Sequence, residues 1–122
     1  MARILVVDDD PLTRRVIRRT LEREGYEIFE AGDGDAGVRA FRENRPDLVI
    51  LDIYMPEKEG LEAILDLRTE FKDVRIIAIS GGGGIFKLDP LQTAKHFGVA
   101  ETLIKPIDRD ILLASVRATL ES

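Results

Sequence analysis

Two stretches of this chain, Leu48-Val49-Ile50-Leu51 and Ile76-Ile77-Ala78-Ile79, are apolar at every position. A strand formed there has no face to offer to water, so both of its faces must be covered by other elements. Residues 4–7 (Ile-Leu-Val-Val) read the same way, residues 26–30 alternate enough to sit at a sheet edge, and 102–104 make a short fifth strand. Amphipathic stretches lie between the strands. Residues 11–23 place Leu12, Val16, Ile17 and Leu21 on one side, and residues 35–42 carry Val38 and Phe41 three apart. Leu61, Ile64, Leu65 and Arg68 mark a third helix, residues 90–97 a fourth, and Ile111, Leu112, Val116 and Leu120 a last one. Five such strand–helix units in series predict an α/β fold, a doubly wound five-stranded parallel sheet with helices on both faces.

Nothing is left over for a second unit, so residues 1–122 read as one domain. The absence of cysteine excludes disulfides and thiolate metal sites and is compatible with a cytoplasmic location. No apolar run approaches the ~20 residues of a membrane span. Met1-Ala2 leads straight into the first strand, so no signal peptide is expected. With 18 basic against 23 acidic side chains the net charge is −5, and no basic tail exists. Neither nucleic acid nor a membrane surface is an expected direct partner.

Ligands of such sheets bind outside the carboxyl ends of the strands. Strand one ends there in Asp8-Asp9-Asp10, strand three in Asp52, strand four in Ser80 and strand five in Lys105-Pro106, whereas strand two ends only in Glu30-Ala31-Gly32. Gathered carboxylates repel one another unless a cation joins them. Oxygen-only ligands suit a hard divalent ion, Mg²⁺ above all, with Mn²⁺ a plausible substitute. Lys105 adds a point charge and Ser80 a hydroxyl for a phosphoryl oxygen. Simpler readings hold for some residues. Asp10 before Pro11 reads as a helix cap. The arginines at 14, 18 and at 15, 19, 23 read as a solvated face partly balanced by Glu22 and Glu24, and His96 as a surface or partly buried residue. The Gly81–Gly84 run lacks the Gly-Lys-Ser/Thr ending of a nucleotide loop and reads as a mobile connector.

The acidic triplet after Val6-Val7, the segment Leu51-Asp52-Ile53-Tyr54-Met55-Pro56 with Gly60 following, Ser80-Gly81 and Lys105-Pro106 together resemble the receiver domains of bacterial two-component response regulators. The resemblance covers essentially the whole chain. It implies the flavodoxin-like, CheY-like strand order 2-1-3-4-5. It further implies that Asp52 accepts a phosphoryl group from a histidine kinase or histidine phosphotransfer protein. Asp9 and Asp52 would ligate Mg²⁺ directly with the backbone carbonyl of Tyr54, and Asp8 largely through water. Ser80 would bind a phosphoryl oxygen, Lys105 would contact the phosphoaspartate, and Pro106 would follow a cis peptide bond. Helix one would dock on the partner's helical bundle.

Such a module is not an enzyme beyond its own phosphoryl uptake and loss. Its output is not readable here, and the chain is either a stand-alone receiver or one parted from an output domain. Two departures from the family bear on signalling. Thr102 stands three residues before Lys105, where many receivers carry an aromatic ring, so ordering of the glycine run is the expected readout instead. Tyr54 and Gly82 flank the expected path of water and point to a long-lived phosphoaspartate. A haloacid-dehalogenase-like phosphohydrolase is an alternative, since Asp8-Asp9-Asp10 contains Asp-x-Asp, but Pro11-Leu12 replaces the expected Gly-Thr or Gly-Val. A receiver that only binds partners is the other, opposed by the intact Asp9, Asp52, Ser80 and Lys105.

Overall fold

The computed structural model describes residues 1–53, 59–81 and 98–121. Its elements run β1 (Arg3–Val7), α1 (Pro11–Glu22), β2 (Glu27–Ala31), α2 (Gly34–Asn44), β3 (Leu48–Asp52), α3 (Glu59–Glu70), β4 (Ile76–Ser80), β5 (Glu101–Ile104) and α4 (Arg109–Glu121). The five strands form one sheet in the order β2-β1-β3-β4-β5, and every neighbouring pair is parallel.

The alternation of side chains along each strand divides the core in two. Leu5, Val7, Val49, Leu51, Ile76 and Ala78 face one way and meet Val38 and Phe41 of α2 and Ala63, Ile64 and Leu67 of α3. Ile4, Val6, Ile50, Ile77 and Ile79 face the other way and meet Ile17 and Leu21 of α1 and Leu112 and Val116 of α4. All five residues of β3 and of β4 are buried, which is why their sequences carry no polar alternation. Burying each such side chain contributes about 1.5–3 kcal/mol, enough to hold the polar strand ends in a fixed register.

Local chemistry sets the helix starts. Asp10 accepts hydrogen bonds from the Leu12 amide (3.0 Å) and from Thr13 Oγ1 (2.8 Å), and Pro11 opens α1. Asp33 caps α2 through the Ala36 amide at 2.8 Å. Strand two begins at Glu27 rather than Tyr26, because the Tyr26 amide is drawn into the turn after α1 by the Leu21 carbonyl at 3.3 Å. The expected helix over residues 90–97, His96, the glycines after Gly81, and Tyr54, Met55 and Pro56 lie outside the described residues. Among the described residues, no helix is long and apolar enough to cross a membrane.

Gly37 brings α2 close to β1. A Cβ at this position would sit 2.9 Å from Val7 Cγ2, and Val7, only 1% exposed, has nowhere to go. Alanine normally favours a helix by about 1 kcal/mol over glycine. Here overpacking of about 1–3 kcal/mol outweighs that gain. Gly37→Ala should therefore lower stability in urea unfolding, and Val7→Ala/Gly37→Ala should be more stable than the sum of the single losses by about 1 kcal/mol.

Candidate functional site

Register brings the polar strand ends to one edge. Val7 pairs with Leu51, so Asp8 follows β1 at the level where Asp52 ends β3. Asp52 pairs with Ile79, and Ser80 with Ile104, one residue before Lys105. The main chain holds this edge together: the Asp8 amide donates to the Ala31 carbonyl (3.1 Å), the Ile53 amide to Ile79 (2.9 Å) and the Lys105 amide to Ser80 (2.7 Å). The Lys105-Pro106 peptide is cis, as the resemblance implies.

Asp8, Asp52 and Ser80 are buried at the ends of their strands, with 1%, 2% and 2% exposure. Lys105 Nζ lies 2.9 Å from Asp52 Oδ2 and 3.1 Å from Asp8 Oδ2, one ammonium shared by two buried carboxylates. Asp8 Oδ1 accepts from the Asp10 amide at 2.8 Å, closing a turn around Asp9. Asp9 itself is exposed, and one oxygen from each of Asp8, Asp9 and Asp52 lies within 4.8 Å of the others.

Burial pushes the Asp8 carboxyl above its ordinary range. The Asp10 amide pulls it down, and the charge of Asp52 pushes it further up. Desolvation thus outranks the mutual repulsion that the sequence suggested. Burial also disfavours the Lys105 charge, but the hydrogen bond to Asp52 and the ion pair with Asp8 outweigh that and raise it above the usual lysine value. Asp10 is held below the carboxylate range by Thr13 and the Leu12 amide, so it acts as a cap and stands apart from the cluster.

Among the described residues, three carboxylates against one ammonium leave a surplus of negative charge. Asp8 Oδ2 is buried and, among the described residues, makes no well-directed hydrogen bond; its contact with Lys105 is ionic. Together with the exposed Asp9 this leaves lone pairs for a hard cation, and the donor set, oxygen alone, fits Mg²⁺. Gly60 permits the close approach of α3 to this edge, since a Cβ there would lie 2.6 Å from the Asp52 carbonyl oxygen and collide with the Ile53 backbone.

The site therefore brings together Asp8, Asp9 and Asp52 with Lys105, and places Ser80 on the adjacent strand end. Tyr54 lies outside the described residues. Thr102 is half-buried opposite Ala78. What the sequence reading missed is the use made of Glu30. Arg14 Nη1 donates to the Asp8 carbonyl at 2.7 Å and Nε to Glu30 Oε1 at 3.1 Å, while Arg18 Nη1 reaches Glu30 Oε2 at 2.6 Å. The hydrogen bond from Arg18, opposed by burial and aided by Arg14, holds the Glu30 carboxyl below its ordinary range. The arginine stripe is thus only partly a solvated face, and Glu24 meets Arg117 of α4 (3.8 Å) instead of α1. An acid closing the strand next to an arginine-bearing helix was the available signal.

A family model of the response regulator receiver domain matches residues 4–117. The chain belongs to this family. It is 34% identical over 120 residues to the chemotaxis protein CheY of Bacillus subtilis, covering 97% of both proteins. With protein PilH of Pseudomonas aeruginosa it shares 33% identity, covering 98% of both. The CAI-1 autoinducer sensor kinase/phosphatase CqsS of Vibrio cholerae is 39% identical over 119 residues, 95% of this chain but 17% of that protein. The chain spans only half of the probable C4-dicarboxylate response regulator DctR of Halalkalibacterium halodurans (50%). Among solved structures, a receiver domain from Clostridium thermocellum superposes with a TM-score of 0.90 at 29% identity, covering 99% of this chain and 95% of that one. These matches do not favour the phosphohydrolase reading or that of a binding-only module.

Charge bookkeeping at the receiver's acidic edge yields a signed expectation. Because the folded pKa of Asp8 lies above its unfolded value of 3.8, the folded state binds that proton more tightly. Its stabilising share is complete below 3.8 and is lost as pH rises through the folded pKa. At pH 7 in EDTA, Asp8→Asn should raise Tm by about 3–6 °C, roughly 1 kcal/mol for a domain this size. The gain should shrink on acidification towards pH 4. Lys105→Met should lower Tm at pH 7, and since the folded Lys105 pKa is raised above 10.5, the wild type should lose this pair's contribution as pH climbs past that value. Thermal melts from pH 4 to 11 check both signs.

Proposed function

We propose that residues 1–122 act as one receiver unit in which Asp52 takes a phosphoryl group from a histidine kinase or histidine phosphotransfer protein. The observation that carries this reading is the buried Asp52 carboxylate, 2.9 Å from Lys105 Nζ and grouped with Asp8 and Asp9. An Asp52 oxygen attacks phosphorus while the phosphorus–nitrogen bond of the donor's phosphohistidine breaks and its electron pair returns to the imidazole. Asp8, Asp9 and Asp52, with the Tyr54 carbonyl, would hold Mg²⁺ or Mn²⁺, which when bound supplies positive charge to the phosphoryl oxygens. Lys105, already shared between Asp8 and Asp52, follows the charge onto the phosphoryl group. The Ser80 hydroxyl donates to another of its oxygens. The same residues serve hydrolysis of the phosphoaspartate, so catalysis is confined to the module's own phosphoryl group. The reading places the module in the cytoplasm with its donor, and its output is a change in partner binding.

Helix α1 supports the docking assignment. Its first turns follow directly from the acidic triplet, and Leu12 and Val16, expected on one side with Ile17 and Leu21, instead stand at 68% and 62% exposure on the opposite side, an apolar pair suited to a helical partner.

Incubation with acetyl phosphate and Mg²⁺ should give a phosphoryl mass gain on Asp52 that EDTA or Asp52→Asn abolishes; labelling that survives either treatment would overturn the assignment. Leu12→Glu/Val16→Glu should leave acetyl phosphate labelling intact while slowing transfer from a histidine phosphotransfer protein at least about tenfold.

A further inference from the structure

Of the three clustered carboxylates, Asp9 alone is exposed, and its side chain makes no hydrogen bond or ion pair with another described residue. Its direction is therefore set by the two peptide groups that flank it. The one after it is tethered through the Asp10 amide to Asp8 Oδ1 at 2.8 Å. The one before it is tethered through the Asp8 carbonyl to Arg14 Nη1 at 2.7 Å.

We infer that Arg14 is a positioning residue for the cation site: by bridging the Asp8 carbonyl and the Glu30 carboxylate it fixes the Asp8–Asp9 peptide and aims Asp9 at Asp52. The inference rests on the cation reading above. A charge-assisted bond of this length is strong, and the guanidinium is itself held. Glu30 on β2 accepts from its Nε at 3.1 Å and is braced in turn by Arg18 at 2.6 Å. The Arg14 side chain is 21% exposed. Gly32 leaves it room, since a Cβ there would lie 3.3 Å from Nη1. Only a planar fork can hold both acceptors at once, so lysine should serve in part. Without the bridge the peptide can turn, and a bound cation must first collect Asp9 from several directions.

Mg²⁺ titration by calorimetry, with melts in EDTA, on the wild type, Arg14→Ala, Arg14→Lys and Glu30→Gln tests this. Arg14→Ala should raise the Mg²⁺ dissociation constant about tenfold, as loss of ligand-orienting contacts does elsewhere. Arg14→Lys should fall in between. The rate of acetyl phosphate labelling at saturating Mg²⁺ should fall much less than the affinity, a split that a general loss of folding would not produce. A folded Arg14→Ala protein with wild-type Mg²⁺ affinity would overturn the inference. Should Arg14→Ala fail to melt cooperatively, Glu30→Gln decides: Mg²⁺ affinity weakened by about twofold or more supports the bridge, and unchanged affinity overturns it. A wild type that binds no Mg²⁺ overturns the cation reading itself, and the inference with it.

Discussion

One ammonium group lies between two carboxylates that the sheet has taken out of water. Asp8 and Asp52 end neighbouring strands at almost no exposure, and Lys105 reaches both from the far side of Ser80. Removing a charge from water is costly, and an ion pair recovers that only with good geometry. Among the described residues a single cation answers two anions, with a third beside them, so the charge there is under-compensated. On the reading proposed above, that deficit is what a divalent cation, and then a phosphoryl group drawing on Lys105, would offset. Stability is given up at this edge and supplied by the apolar strands behind it.

The rest of the architecture serves to hold that deficit still. Strands β3 and β4 are packed on both faces, so a slip by one residue would exchange their side chains between two close-packed cores and carry Asp52 or Ser80 off the shared level. Their register delivers Asp52 and Ser80 to the same level. Gly60 and Gly37 remove side chains where helices must approach Asp52 and Val7 closely. Helix α1 has two tasks on adjacent faces: Ile17 and Leu21 enter the core, while Arg14 and Arg18 fold onto Glu30 and Arg14 also donates to the Asp8 carbonyl.

Much of this was legible in the chain. Runs without a polar residue announce strands covered on both faces, and period-3.6 stripes between them announce the helices. Residues at the ends of such strands converge, so Asp8, Asp9, Asp52, Ser80 and Lys105 could be named together. Asp10 could be set aside as a cap because aspartate before proline has a local explanation, and its bonds to Leu12 and Thr13 bear that out. Tyr26 was misplaced because its hydrophobicity resembles that of a strand while its amide answers to the preceding turn.

What the sequence by itself determined is the pattern: which segments must be buried, in what order the strand–helix units follow, and which polar residues terminate them. These follow from periodicity and local capping, interactions that span at most a few residues. Tertiary structure alone decided which carboxylates share Lys105, that burial outweighs repulsion at Asp8, and that Glu30 gathers Arg14 and Arg18. Those contacts join residues 12 to 97 positions apart, and they depend on distances of a few tenths of an ångström and on how much water is excluded. Neither quantity is encoded in any local stretch of chain; both arise only when five strands are set side by side.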